Sequence, residues 1–153
     1  MNYSIDTSAI LEGWVRFMPQ DVVPGLWEKM SKLSQNGQLV ASEEVIQELK
    51  KKDDGAYEWA KKNIKTVPID DNIQVSVSEI LKTHRKLIDE RRNRSGADPF
   101  VIALAKINGH KLVTCEQPTG KPNRPHIPDV CNDIGVPYID LIALCREQKW
   151  SFK

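Results

Sequence analysis

Two hydrophobic periods take turns along this chain, and that alternation limits its fold more than any other feature. Short apolar runs fit β-strands at residues 3–5 (YSI), 38–41 (QLVA), 65–69 (KTVPI), 110–114 (HKLVT) and, more weakly, 136–140 (VPYID). Between them, helical spacing predicts helices over residues 9–17, 26–35, 42–52, 71–89, 99–108, 128–134 and 141–148. Parallel strands need crossover connections, and those are usually helices that cover the sheet on both faces. The expectation is therefore an α/β protein: a three-layer α/β/α sandwich with a central, mostly parallel sheet of four to five strands. With 153 residues, the chain suits one domain over positions 1–153. The run VIALA at residues 101–105 is apolar on nearly all sides, so its helix belongs in the middle of a layer. Trp14, Trp27 and Trp59 read as core or layer contacts.

Composition removes several classes of function. A chain with 40% hydrophobic and 28% charged residues is neither disordered nor membrane-embedded. No run approaches the ~20 apolar residues of a membrane span, and the first ten residues do not resemble a signal peptide, so a cytoplasmic location is expected. A net charge of +1 leaves any anionic partner to be met by a local basic patch. Cys115, Cys131 and Cys145 are odd in number and lack C-x-x-C spacing, against a disulfide framework or a structural zinc site. His84, His110 and His126 are equally scattered. There is no phosphate-binding G-x-x-x-x-G-K-[ST] loop, and DTS after the first strand lacks the D-x-D pattern of haloacid-dehalogenase-like phosphotransfer enzymes.

In open parallel sheets, functional groups gather beyond the carboxyl ends of the strands. Asp6 ends the first strand in NYSIDTS, and Glu116 ends a later one in KLVTCE. Asp98 opens the VIALA helix in GADPF; whether it falls at the same edge is left open by the pattern. Each acid also has a structural reading. Asp98 before Pro99 suits a helix start, Asp6 suits a turn with Ser8 capping the next helix, and Glu116 suits a solvated loop. In SEEVIQELKKK, Ser42 is an expected N-cap, and Glu48 borders the apolar stripe of Val45, Ile46 and Leu49.

Taken in order, IDTS, SEEVIQEL, GADPFVIALA and LVTCE resemble the PIN domain family of metal-dependent nucleases over nearly the whole chain, and within it the VapC-type toxins. The resemblance implies that Asp6, Glu48, Asp98 and Glu116 are the catalytic, metal-ligating acids, meeting in one pocket at the carboxyl edge. Two departures stand out. The fourth acid is more often Asp in that family, and a proline-rich loop, QPTGKPNRPHIPD, follows it here; Asp129 at its end is a candidate to support or replace Glu116.

An all-carboxylate site selects Mg²⁺ or Mn²⁺ over zinc. The implied activity is ribonuclease cleavage of phosphodiesters to a 5'-phosphate and a 3'-hydroxyl, as the toxin of a toxin–antitoxin pair. The implied partners are an RNA substrate, an antitoxin and a second copy of the chain. Thr7, Ser8 and Thr114 are expected to orient the carboxylates through their hydroxyls. Arg91, Arg92 and Arg94 before Asp98, and Lys121 and Arg124 in the proline-rich loop, are the expected phosphate contacts. The alternative is a PIN-like module that binds RNA or protein without cutting.

Overall fold

The computed structural model describes residues 2–87 and 96–153. Five parallel strands, β1 (Tyr3–Ile5), β2 (Leu39–Ser42), β3 (Lys65–Val67), β4 (Lys111–Val113) and β5 (Tyr138–Ile139), form one sheet in the order β3-β2-β1-β4-β5. Register is set by Tyr3 opposite both Leu39 and Lys111, Val40 opposite Lys65, and Leu112 opposite Tyr138. The central strand β1 is buried throughout, as expected of a strand covered on both faces.

Eight α-helices flank the sheet among the described residues: α1 (Thr7–Glu12), α2 (Pro24–Gln35), α3 (Glu43–Lys52), α4 (Asp54–Asn63), α5 (Asp71–Thr83), α6 (Asp98–Asn108), α7 (Ile127–Ile134) and α8 (Leu141–Glu147). The result is the expected three-layer α/β/α sandwich around a five-stranded parallel sheet. None of these helices is long and apolar enough to cross a membrane. The run from Val101 to Ala105 is buried on all sides, and α6 touches β1, β2, β4 and α5. Gly109 then takes the left-handed conformation at φ 66°, which ends α6 and turns the chain into β4.

Several boundaries differ from the sequence reading. The expected helix over residues 9–17 is two elements, α1 and a π-helical turn at Gly13–Phe17. Gly13 packs closely at that junction: a Cβ there would lie 2.8 Å from Leu141 Cδ2 and would have to displace that side chain. Helix α4 was not anticipated; Asp53 ends α3 and at once caps α4 by accepting from Ala56 N–H at 2.9 Å. Helix α5 stops at Thr83 and is followed by a 3₁₀ turn at Arg85–Leu87.

The three tryptophans converge from separate elements. Trp27 of α2 meets Trp14 of the π turn and Trp59 of α4 edge-on, with ring centroids at 5.0 and 4.8 Å, the geometry favoured by the ring quadrupoles. Its indole N–H donates to the Met18 carbonyl at 2.8 Å, so no buried donor is left over.

Candidate active site

The end of β1 carries the one buried acid among the described residues. Asp6 continues the sheet by donating its N–H to the Val113 carbonyl at 3.0 Å, then turns the chain into α1. Its carboxylate is the N-cap of α1, accepting from Ala9 N–H at 2.9 Å. Ser8 Oγ lies 2.9 and 3.0 Å from its two oxygens, and Thr114 Oγ donates to Oδ2 at 2.7 Å. Asp6 is thus the capping residue where Ser8 had been expected, and Ser8 reaches back to it instead. Both hydroxyls also accept from the segment just past β4: Ser8 Oγ from Cys115 N–H at 3.0 Å, and Thr114 Oγ1 from Glu116 N–H at 3.1 Å. These paired bonds stitch the carboxyl ends of β1 and β4 together and hold Asp6 in one orientation.

Asp6 is only 2% exposed. Burial, followed by the nearby charge of Glu116, pushes its pKa up to about 7. The bonds from Ala9, Thr114 and Ser8 favour the charged form but do not outweigh burial. The Cys131 thiol beneath is pushed up to about 12, by burial first and then by Asp6 and Glu116, so it stays a neutral packing group. Glu116 itself sits at the start of α7, its Oε2 accepting from Ile127 N–H at 3.4 Å at the positive end of the helix.

The position of Asp98, open in the sequence, follows from topology. Helix α6 ends just before β4 and so runs back across the sheet, which sets its first residue, Asp98, toward the carboxyl edge. Asp98 is the first residue of α6 rather than its cap; the cap position belongs to Ala97 and carries no side-chain bond. Glu48 lies in the second turn of α3, which begins where β2 ends and touches α6. Its side chain is 10% exposed and pairs with Lys52, one turn on, at 3.1 Å.

The structure thus brings Asp6 and Glu116 within electrostatic reach of each other. It does not gather all four acids into one ligand cluster. Among the described residues, no group of three or more His, Cys, Asp or Glu side chains is placed to hold a metal ion. One oxygen of Glu48, Oε1, is the one that pairs with Lys52. Arg91, Arg92 and Arg94 lie outside the described residues.

Asp129 has a different task from the one expected. Its carboxylate accepts from the backbone N–H groups of Thr119, Gly120 and His126 and from the Thr119 hydroxyl, at 2.7 to 3.1 Å. Those bonds overcome the effect of burial and hold its pKa down to about 2. With its oxygens committed to pinning the proline-rich loop onto α7, it is not retained as a ligand. Lys121 and Arg124 are exposed on that loop. Asp129→Ala is expected to free the loop, read as faster hydrogen exchange at the amides of Thr119, Gly120 and His126. Because the native pKa is depressed, the same loosening appears in the parent protein as pH falls from about 4 toward 2. Unchanged exchange in the variant would remove this role.

Thr7 departs from expectation too. It is 5% exposed, and its hydroxyl is buried without a hydrogen-bond partner, so it orients neither Asp6 nor any other group. One acid went unnoticed in the sequence. Asp140 ends β5 as Asp6 ends β1, and caps α8 by accepting from Ala143 N–H at 2.7 Å. Its charge, with that of Asp6, adds to the burial that pushes the Cys115 thiol up to about 11. The signal was there in the repeated strand-then-Asp pattern of YSID and YID.

The sequence matches the family described as Domain of unknown function (DUF4411) over residues 3–152. No curated protein matches it. The fold is similar to that in the 2.2 Å structure of VapBC-1 from nontypeable Haemophilus influenzae, with a TM-score of 0.57 and 16% identity over 92% of this chain and 98% of that one. It is also similar to PAE2754 from Pyrobaculum aerophilum, with a TM-score of 0.53 and 16% identity over 97% of each chain.

Proposed function

We propose that the chain, which belongs to the DUF4411 family of domains of unknown function, is a divalent-metal-dependent ribonuclease. The observation that carries this reading is the buried, rigidly held carboxylate of Asp6 at the carboxyl edge of the sheet, facing the charge of Glu116. Two acids that repel in a desolvated place form a site whose strain a cation relieves. The donor chemistry fits: hard carboxylate oxygens, with the neighbouring Cys115 held as a neutral thiol, suit Mg²⁺ or Mn²⁺.

In this reading Asp6 and Asp98 are the principal ligands, Glu48 is a ligand or holds the attacking water, and Glu116 completes the site. The bound ion supplies activation of water and neutralisation of charge on the phosphodiester. The protein supplies the rest. Ser8 and Thr114 fix the lone pairs of Asp6, and the N–H of Ile127 steadies Glu116. Lys121 and Arg124, with Arg91, Arg92 and Arg94, offer charge to the phosphates on either side of the cut. The resemblance to VapC-type toxins extends the proposal to an antitoxin partner and to a homodimer.

Incubation of the purified protein with mixed RNAs and Mn²⁺ or Mg²⁺, beside Asp98→Asn, tests the proposal. Cleavage is expected in the parent, abolished by chelator and reduced at least tenfold in the variant. RNA binding without cleavage in either protein would instead favour a non-cutting RNA-binding module.

A further inference from the structure

Next to the acidic edge lies a pocket of about 460 Å³, walled by Phe17 from the π turn, Cys115 and Gln117 from just past β4, and Asp140, Leu141 and Ile142 from the start of α8. Its volume falls among those of small-molecule sites, about 300 to 1,000 Å³. Phe17 is 64% exposed and Ile142 44% exposed, so an aromatic ring and an aliphatic edge are held out in water at the opening. The segment that carries Phe17 is nevertheless firmly mounted, with Gly13 packed against Leu141 and Trp27 and with Met18 N–H bonded to the Gly13 carbonyl at 2.9 Å. A platform fixed beforehand loses little freedom when something lies on it.

The polar groups of the pocket narrow the choice of occupant. Asp140 uses Oδ1 to cap α8, which leaves Oδ2 for a further donor, and Gln117 offers both a donor and an acceptor. A leucine or valine from a protein partner would bury those groups without satisfying them, which disfavours an apolar occupant. A planar heterocycle with N–H groups on its edge satisfies both. Cys115 on the pocket wall also adjoins the site described above: its N–H donates to Ser8 Oγ, and Ser8 Oγ donates to Asp6.

We propose that this pocket takes an unpaired nucleobase adjoining the scissile phosphate, with Phe17 as its stacking surface and Asp140 as acceptor for its Watson–Crick N–H groups. Resting on the nuclease reading for the identity of the strand, it adds a preference for single-stranded over paired RNA. Guanine, which presents N1–H and N2–H₂ side by side, fits Asp140 best.

The test is binding of a short labelled single-stranded RNA in EDTA, which reads affinity without cleavage, for the parent, Phe17→Ala and Asp140→Asn. Phe17→Ala is expected to weaken binding about 5- to 150-fold, the range that loss of one aromatic–base stack produces. Asp140→Asn, which keeps an acceptor for Ala143 N–H, is expected to weaken a guanine-containing strand more than an all-uracil one. Thermal melts check that both variants fold. Parent-like RNA affinity in a folded Phe17→Ala overturns the subsite even where the parent cleaves RNA. Weakened binding in Phe17→Ala, with no cleavage by the parent in Mg²⁺, supports the subsite and sinks the nuclease reading instead. Parent-like RNA binding with loss of self-association or of a co-purifying protein makes the pocket a protein-docking surface and overturns the proposal.

Discussion

Asp6→Asn is expected to lower RNA cleavage by on the order of 10²- to 10³-fold while making the metal-free protein more stable. The first effect follows from removing a carboxylate from a site whose charge stabilisation is worth several kcal/mol to the transition state. The second follows from the pKa of about 7. The unfolded chain gives up this proton near pH 4, whereas the folded protein keeps it until about 7. Between those values the native state therefore binds more protons than the unfolded one, and stability falls as pH rises, by on the order of 4 kcal/mol across the window.

Asparagine has no such charge to desolvate. It keeps an oxygen for Ala9 N–H, and the Ser8 and Thr114 hydroxyls can rotate to accept from its amide. Urea unfolding in EDTA at pH 5 and pH 8 should thus show a decline in the parent that the variant lacks. Added Mg²⁺ at pH 8 should recover stability in the parent alone. A parent protein whose stability does not change over that pH range would remove the electrostatic basis of the site.

Trp27→Ala is expected to cost about 3 to 5 kcal/mol of folding stability. Trp27 is 1% exposed and is the ring that both Trp14 and Trp59 meet edge-on. Its removal leaves a void lined by rigid aromatic faces, which cannot collapse inward as flexible aliphatic chains do. It also unties α2 from the Met18 carbonyl. Against the 5 to 15 kcal/mol typical of a whole domain, that is a large share. Urea unfolding with an unchanged m-value measures it, and a loss under 1 kcal/mol would mean that the three rings are not one packing unit.

The sequence carried the strands well because each is a short buried run bounded by turn residues, and alternation with helices implied parallel pairing. Its limits lay where one residue serves two elements. Asp53 ends α3 and caps α4 in consecutive steps, so DDG reads as a break when it is a helix-to-helix junction. The π turn was invisible because Gly13 to Phe17 keeps an apolar spacing compatible with an α-helix. Among the acids, Asp6 was legible from its place after the first strand. The duty of Asp129 was not, since it depends on the amides of a loop whose path only the folded chain defines. The order of strands in space was likewise hidden, because crossover lengths do not say on which side of β1 each strand falls.

That order has a consequence for synthesis. Strand β1 is made before the other strands, yet Asp6 meets Thr114, 108 positions later, and the sheet edge they share cannot close until β4 has left the ribosome. At translation speeds of about 5 to 20 residues per second, Asp6 waits roughly 5 to 20 seconds for its partners. A nascent chain therefore carries Asp6 without the Thr114 hydroxyl and the β4 neighbour that hold it in the folded protein.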